Sequence, residues 1–300
     1  MSIHASEVLN LHKVTHTDID FVDVTLTPDV KLFIDPCLVA YDKSPWAAQA
    51  NKTIESYFDC FYSMYRDDTP DESKLALFKH AHEINATRLG YGNGHNGKAK
   101  TPEGMLSTFK HIPDLLAKGI NLATASDLPL FIRDFAEDCL SDMLTNILLK
   151  NLMEFTLQQC EKYQVATVSA PAGLFYWDMN TQWWKEYTGP CLKYENRLLL
   201  LVPKNIVRNR YYFSADQFFS RVILSRMQEQ SARRDSNGKV QKDSKEDIRK
   251  RVQGDEAVLD SITRLTSEDP SYLPEYHRIL PSLYSGKGMS DEELDKILYT

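Results

Sequence analysis

The stretch AEDCLSDMLTN, residues 136–146, sets Asp138, Asp142 and Asn146 at successive intervals of four. At about 100° per residue this spacing lines two acids and an amide along one side of a helix. Carboxylates one turn apart are hard oxygen donors of the kind that hold Mg²⁺ or Mn²⁺. Two more residues extend the set: Asp35 in LFIDP and Lys204 in LLLLVPK each fall where an apolar strand is expected to end. Together Asp35, Asp138, Asp142 and Lys204 form a three-carboxylate-plus-lysine set. In a metal-dependent phosphodiesterase the acids would hold the ion, and the lysine would neutralise charge developing on the phosphate. Taken singly, a strand-end aspartate is also a common turn former, and a strand-end lysine a common edge charge.

A glycine-rich stretch, LGYGNGHNGKAKTPEG, adds a phosphate-binding expectation. Its Gly92–Ala99 portion matches G-x-x-x-x-G-K, but Ala99 stands where a magnesium-binding Ser or Thr belongs, and a helical pattern precedes it instead of a strand. A nucleotide-hydrolysing P-loop is therefore excluded. What remains is exposed backbone N–H groups beside charge, so His95, Gly97 and Lys98 are the expected phosphate contacts.

Other chemistries find less support. Cys37, Cys60, Cys139, Cys160 and Cys191 are scattered without C-x-x-C spacing, which favours reduced thiols over disulfides or a zinc cluster. No G-x-S-x-G elbow is present. The acids Asp178 and Glu186 invite comparison with restriction-type nucleases, but Lys185 precedes Glu186 and Val202 fills the position two before Lys204, so that spacing fails.

The elements that must position these residues are mixed. FVDVTLTPDVKLFIDP reads as two short strands around Thr27-Pro28-Asp29. Residues 46–66, 71–89 and 103–118 read as helices, and 130–163 as one long helical stretch. Within the long stretch the polar and apolar faces exchange places at about Ile147, with no Gly or Pro there to bend the chain. Either the acids face an interior cleft, or the helix passes from one packing neighbour to another. VATVSA, GLFYWD, WWKEY and RLLLLVPK suggest a sheet, with Met179–Gln182 turning a hairpin whose tryptophans pack in the core or stack bases. Residues 214–230 and 244–266 return to helix across the polar linker SARRDSNGKVQKD. The expected class is α+β: a helical N-terminal half, a central mostly antiparallel sheet and a helical C-terminal segment. The division is a mixed core domain over 1–204 and a basic helical region over 205–300 packed on it.

Charge is uneven. Residues 205–252 carry twelve Lys or Arg against six acids, while the whole chain is −7, so a basic segment is mounted on an acidic body. This pattern suits a polyanion partner. Nucleic acid is the expected partner, gripped by Arg208, Arg210, Arg233, Arg234, Arg249, Lys250 and Arg251. No run approaches a membrane span, and the expected location is the cytoplasm. The function these observations suggest is a Mg²⁺- or Mn²⁺-dependent nuclease, with bacterial antiviral defence as a conceivable setting. The alternative is a non-enzymatic subunit that binds nucleic acid, a partner protein or a second copy of itself, with the acidic stripe paired to Arg208 or Arg210.

Overall fold

The computed structural model describes residues 3–81, 84–91, 101–284 and 288–299. The chain opens with α1 (Ala5–Val8); residues 21–30 then pass through a bend at 26–28 and are tied by isolated bridges from Phe21 to Pro203 and from Val30 to Leu89. The expected hairpin around Pro28 does not form. Its second half instead gives β1 (Phe33–Ile34), which pairs with Val207–Arg208 far along the chain. α2 (Pro36–Tyr41) follows at once, because Asp35 supplies a side-chain cap and Pro36 a preset first turn. α3 (Pro45–Arg66) starts on a Ser44 cap and buries Ile54, Tyr57, Phe58, Phe61 and Tyr62.

α4 (Asp71–Phe78), α5 (Pro102–Phe109) and α6 (Ile112–Ala117) are shorter than their patterns suggested. A 3-10 turn at Ala125–Asp127 leads into α7 (Leu128–Phe131). The long helical stretch is broken: α8 (Glu137–Ile147) and α9 (Leu149–Lys162) meet at Leu148, whose φ of −88° and ψ of 8° leave the helical region. The break falls where the two faces exchange.

The central segment is β2 (Val168–Ser169), β3 (Phe175–Asp178), β4 (Trp183–Glu186), β5 (Pro190–Cys191), β6 (Lys193–Tyr194), β7 (Arg197–Leu198) and β8 (Val207–Arg208). The strands form antiparallel pairs only, β1 with β8, β2 with β5, β3 with β4 and β6 with β7, so the expected central sheet is replaced by small two-stranded pieces. The reason lies in residues 199–202, which are buried and bond to unrelated segments. Leu199 N–H donates to Leu192 O, Leu200 N–H to Ala86 O and Leu201 N–H to Thr156 Oγ1, while Val202 O accepts from Val22 N–H. No ladder can grow from a strand whose groups are shared among four neighbours.

α10 (Ala215–Phe218), a π turn at Phe219–Ile223 and α11 (Leu224–Gln230) precede the hairpin β9 (Arg233–Arg234) and β10 (Val240–Gln241), which occupies the polar linker. α12 (Lys245–Gln253), α13 (Val258–Glu268), α14 (Tyr272–Tyr284) and α15 (Asp291–Leu298) complete the chain. The fold is thus mixed, 52% helical and 11% strand. One apolar cluster extends from Ala5 to Leu298. Among the described residues no helix is long and apolar enough to cross a membrane.

α15 is held by polar contacts as well. His16 is fully buried; its Nδ1 lies 2.5 Å from Asp295 Oδ1 and its Nε2 accepts the Asp23 N–H at 3.1 Å, which fixes the tautomer with the proton on Nδ1. The Tyr299 hydroxyl donates to Asp23 Oδ2 at 2.8 Å. Burial pushes the Asp295 carboxyl up, but the hydrogen bonds from His16, with the charge of Lys204, outweigh it and hold the group below its ordinary value.

Candidate functional site

β1 brings Asp35 to the end of a fully buried strand. Its N–H donates to Ile206 O at 2.9 Å, and its Oδ1 accepts the N–H groups of Cys37 at 2.8 Å and Leu38 at 3.3 Å. Burial pushes the carboxyl up from 3.8 to about 7, against the opposing pull of the Tyr284 hydroxyl, these two amides and the Arg208 guanidinium. Oδ2 is buried without an aligned hydrogen-bond partner. A charge so placed is costly, and the helix start offsets only part of that cost.

α8 crosses β1 through Ser141, whose Oγ accepts the Ile34 N–H at 3.0 Å. The Tyr211 hydroxyl lies 2.6 Å from Ile34 O and 3.1 Å from Glu137 O, tying strand to helix. Burial, and then the charges of Asp35, Glu137 and Asp142, push that phenol well above its ordinary value. These bonds set Asp35, at the end of β1, beside the helix that carries Glu137, Asp138 and Asp142. The polar side of α8 faces inward: Ser141, Thr145 and Asn146 are buried, and Asp138 and Asp142 are half-buried. This answers the question raised by the stripe in favour of an interior-facing polar edge.

Asp138 Oδ1 accepts the Tyr91 N–H at 3.2 Å. It also sits 2.8 Å from where a side chain on Gly90 would begin, and Gly90 has φ +124°. Only glycine allows that approach. Asp142 lines a small recess with Ile84, Asn85, Thr87, Leu89 and Thr145. Lys204 goes elsewhere: its Nζ is 2.7 Å from Asp291 Oδ1 on α15 and also donates to His16 O. Among the described residues no three His, Cys, Asp or Glu side chains are grouped so as to hold a metal ion, so Asp35, Asp138 and Asp142 are not a preformed cage. The expected phosphate contacts His95, Gly97 and Lys98 lie outside the described residues.

The basic segment is largely neutralised from within. Arg233 and Arg251 both reach Asp243, at 2.8 and 3.2 Å, Arg249 reaches Asp216 at 3.0 Å and Lys250 reaches Glu246 at 2.7 Å. Arg234 donates to Gly238 O, Arg210 is exposed, and Arg208 is buried with its guanidinium 3.7 Å from the Tyr212 ring centre. Arg208 is thus held within the fold, its Nε donating to Arg210 O at 3.1 Å, and is no part of a surface. On the aromatic hairpin Trp177 and Trp184 are buried and bond to Ser56 and Leu77, leaving Trp183 exposed.

Sequence reasoning missed Tyr211, Tyr284, Ser141 and Glu137. Only Gly90 carried a signal, and that was read as a loop marker. No curated protein and no solved structure matches the chain. A family model described as a domain of unknown function (DUF8370) matches residues 10–214, a span that contains Asp35, Gly90, Asp138, Asp142, Lys204 and Tyr211. The chain belongs to that DUF8370 family, and the residues that join β1 to α8 all lie within the part that defines it.

Proposed function

We propose that this chain is a cytoplasmic phosphodiesterase acting on nucleic acid at the acidic edge of α8. The observation that carries the reading is the joint between β1 and α8, where Ser141 takes the Ile34 N–H and the Tyr211 hydroxyl meets Ile34 O and Glu137 O, which sets Asp35 beside the helix that carries Asp138 and Asp142 one turn apart. The donors suit a hard cation in kind, being carboxylate oxygens, with Asp35 fully buried among them. Bound by Asp138 and Asp142, with Asp35 close by, Mg²⁺ or Mn²⁺ would offset phosphate charge and lower the pKa of a water molecule. The chain's own contribution is positional. Ser141 and Tyr211 lock α8 to β1, and Gly90 lets the Tyr91 amide hold Asp138. Lys204 leaves the catalytic set for a clamp on α15; Arg210, exposed and close enough to act on Tyr91, is the cation proposed to meet phosphate.

The test is cleavage of single- and double-stranded DNA and RNA with Mg²⁺ and with Mn²⁺. Asp142→Asn should lower the rate at least about 100-fold, in the range of lost metal-ligand interactions. Equal cutting by parent and variant would end the reading. A non-enzymatic subunit is the second reading, favoured by the exposed β9–β10 hairpin with Arg233 and Arg234. It predicts salt-sensitive nucleic-acid binding without cleavage.

A further inference from the structure

The helix that Asp35 caps also walls a cavity of about 280 Å³, closed by α3, the turn Ala125–Asp127 and α14. Pro36, Ile54, Phe58, Ala125 and Leu280 give it apolar sides. Protein interiors pack too tightly to leave such a space without consequence, and a mostly apolar pocket with a few polar groups is the usual form of a small-ligand site.

Its polar groups are specific. Asp127 is fully buried; its Oδ2 accepts the N–H groups of Ala123 at 2.8 Å and Thr124 at 2.9 Å, and its Oδ1 lies 2.6 Å from His277 Nε2. That bond fixes the His277 ring on the cavity wall with Nε2 as donor, leaving Nδ1 available to a ligand. Burial pulls the imidazole down, but the bond and charge of Asp127 outweigh it and raise its pKa. Cys37 also lines the space, buried beneath it. Burial, then the charges of Asp35 and Asp127, push its thiol well above the ordinary value, which denies it the thiolate a nucleophile needs. At its mouth stand Glu55 and Asp59, exposed and one turn apart on α3, while among the described residues no Lys or Arg lines it.

We propose that this cavity binds a small organic amine, its apolar body between Ile54, Phe58 and Leu280 and its ammonium group between Glu55 and Asp59. The site is independent of the acidic edge of α8. The probes are 2-phenylethylamine, neutral 2-phenylethanol and anionic phenylacetate, titrated by calorimetry against the full chain. The amine should bind at least about tenfold more tightly than either analogue, the scale of one well-placed charge contact. The double variant Glu55→Gln, Asp59→Asn, at exposed positions, should erase that preference while leaving 2-phenylethanol unaffected. Ala40→Trp, at an exposed position on the cavity wall, should weaken all binding. Failure of the amine to bind, equal affinity for all three probes, or binding unchanged by Ala40→Trp would overturn the proposal.

Discussion

Asp35 joins two roles with opposite demands. As a helix cap it accepts two amides, which favours the carboxylate, yet complete burial favours the acid, and burial wins, taking the group to about 7. The unfolded chain holds this proton only below about 4. Between those values the folded form binds more proton, so the contribution of Asp35 to stability is full below pH 4 and declines as pH rises through 7, by up to about 4 kcal/mol. Asp35→Asn keeps a capping oxygen and removes the titration. Urea midpoints at pH 5 and pH 8 should therefore differ less in the variant than in the parent, and equal differences would show that Asp35 does not titrate in this window. His277 shifts in the same sense but is common to both proteins, so it cancels. Gly90 makes a second prediction at this scale. Gly90→Ala forces a side chain into φ +124° and against Asp138 Oδ1, so it should cost about 1–3 kcal/mol, read as a lower denaturant midpoint. The sequence showed Asp35, Asp138 and Asp142 as acids in suspicious places, because their types and spacing are local facts. It could not show Tyr211 or Tyr284, since nothing in RNRYYFS or in the pattern of α14 records what lies opposite.

At the scale of elements, periodicity was legible wherever one helix served one neighbour. α3 fits its pattern closely, with Ser44 and Pro45 marking its start. The faces that exchange at Ile147 were equally visible, but the chain resolves them by a break at Leu148 that no glycine or proline announces. The aromatic hairpin keeps its expected turn, with Asp178 opposite Trp183. The wider sheet was illegible for a physical reason: RLLLLVPK has the composition of a central strand, but tertiary contacts claim its backbone groups one at a time. Ser141 tests how much the joint between α8 and β1 matters. Ser141→Ala leaves the buried Ile34 N–H without an acceptor and should destabilise by about 1–3 kcal/mol. Hydrogen exchange at Ile34 should accelerate with it. At α15, His16→Leu strands the Asp23 N–H in the same way and frees Asp295. Limited proteolysis should then remove the last helix faster than in the parent, whereas an unchanged rate would assign its docking to Leu294, Leu298, the Lys204–Asp291 pair and the Tyr299–Asp23 bond.

For the whole molecule, the charge asymmetry was plain in the sequence, while its internal neutralisation was not. Asp243 and Asp216 lie within the basic segment itself, and only the fold shows which of its Arg side chains they meet. Division of the chain at about residue 204 reflected a change in composition, and one apolar cluster spans both sides of it. The cluster has a consequence for how far the family boundary can be used as a cutting guide. Tyr284 faces the Asp35 carboxylate from α14, and His277 on the same helix seats Asp127, although both lie beyond the matched span. A fragment ended at residue 214 would carry every signature of its family and still lack the lid over its own buried acid. It should be recovered as an aggregate or a loosely ordered chain, and adding back a separate 215–300 piece should restore it only if the two halves can re-form that shared interior.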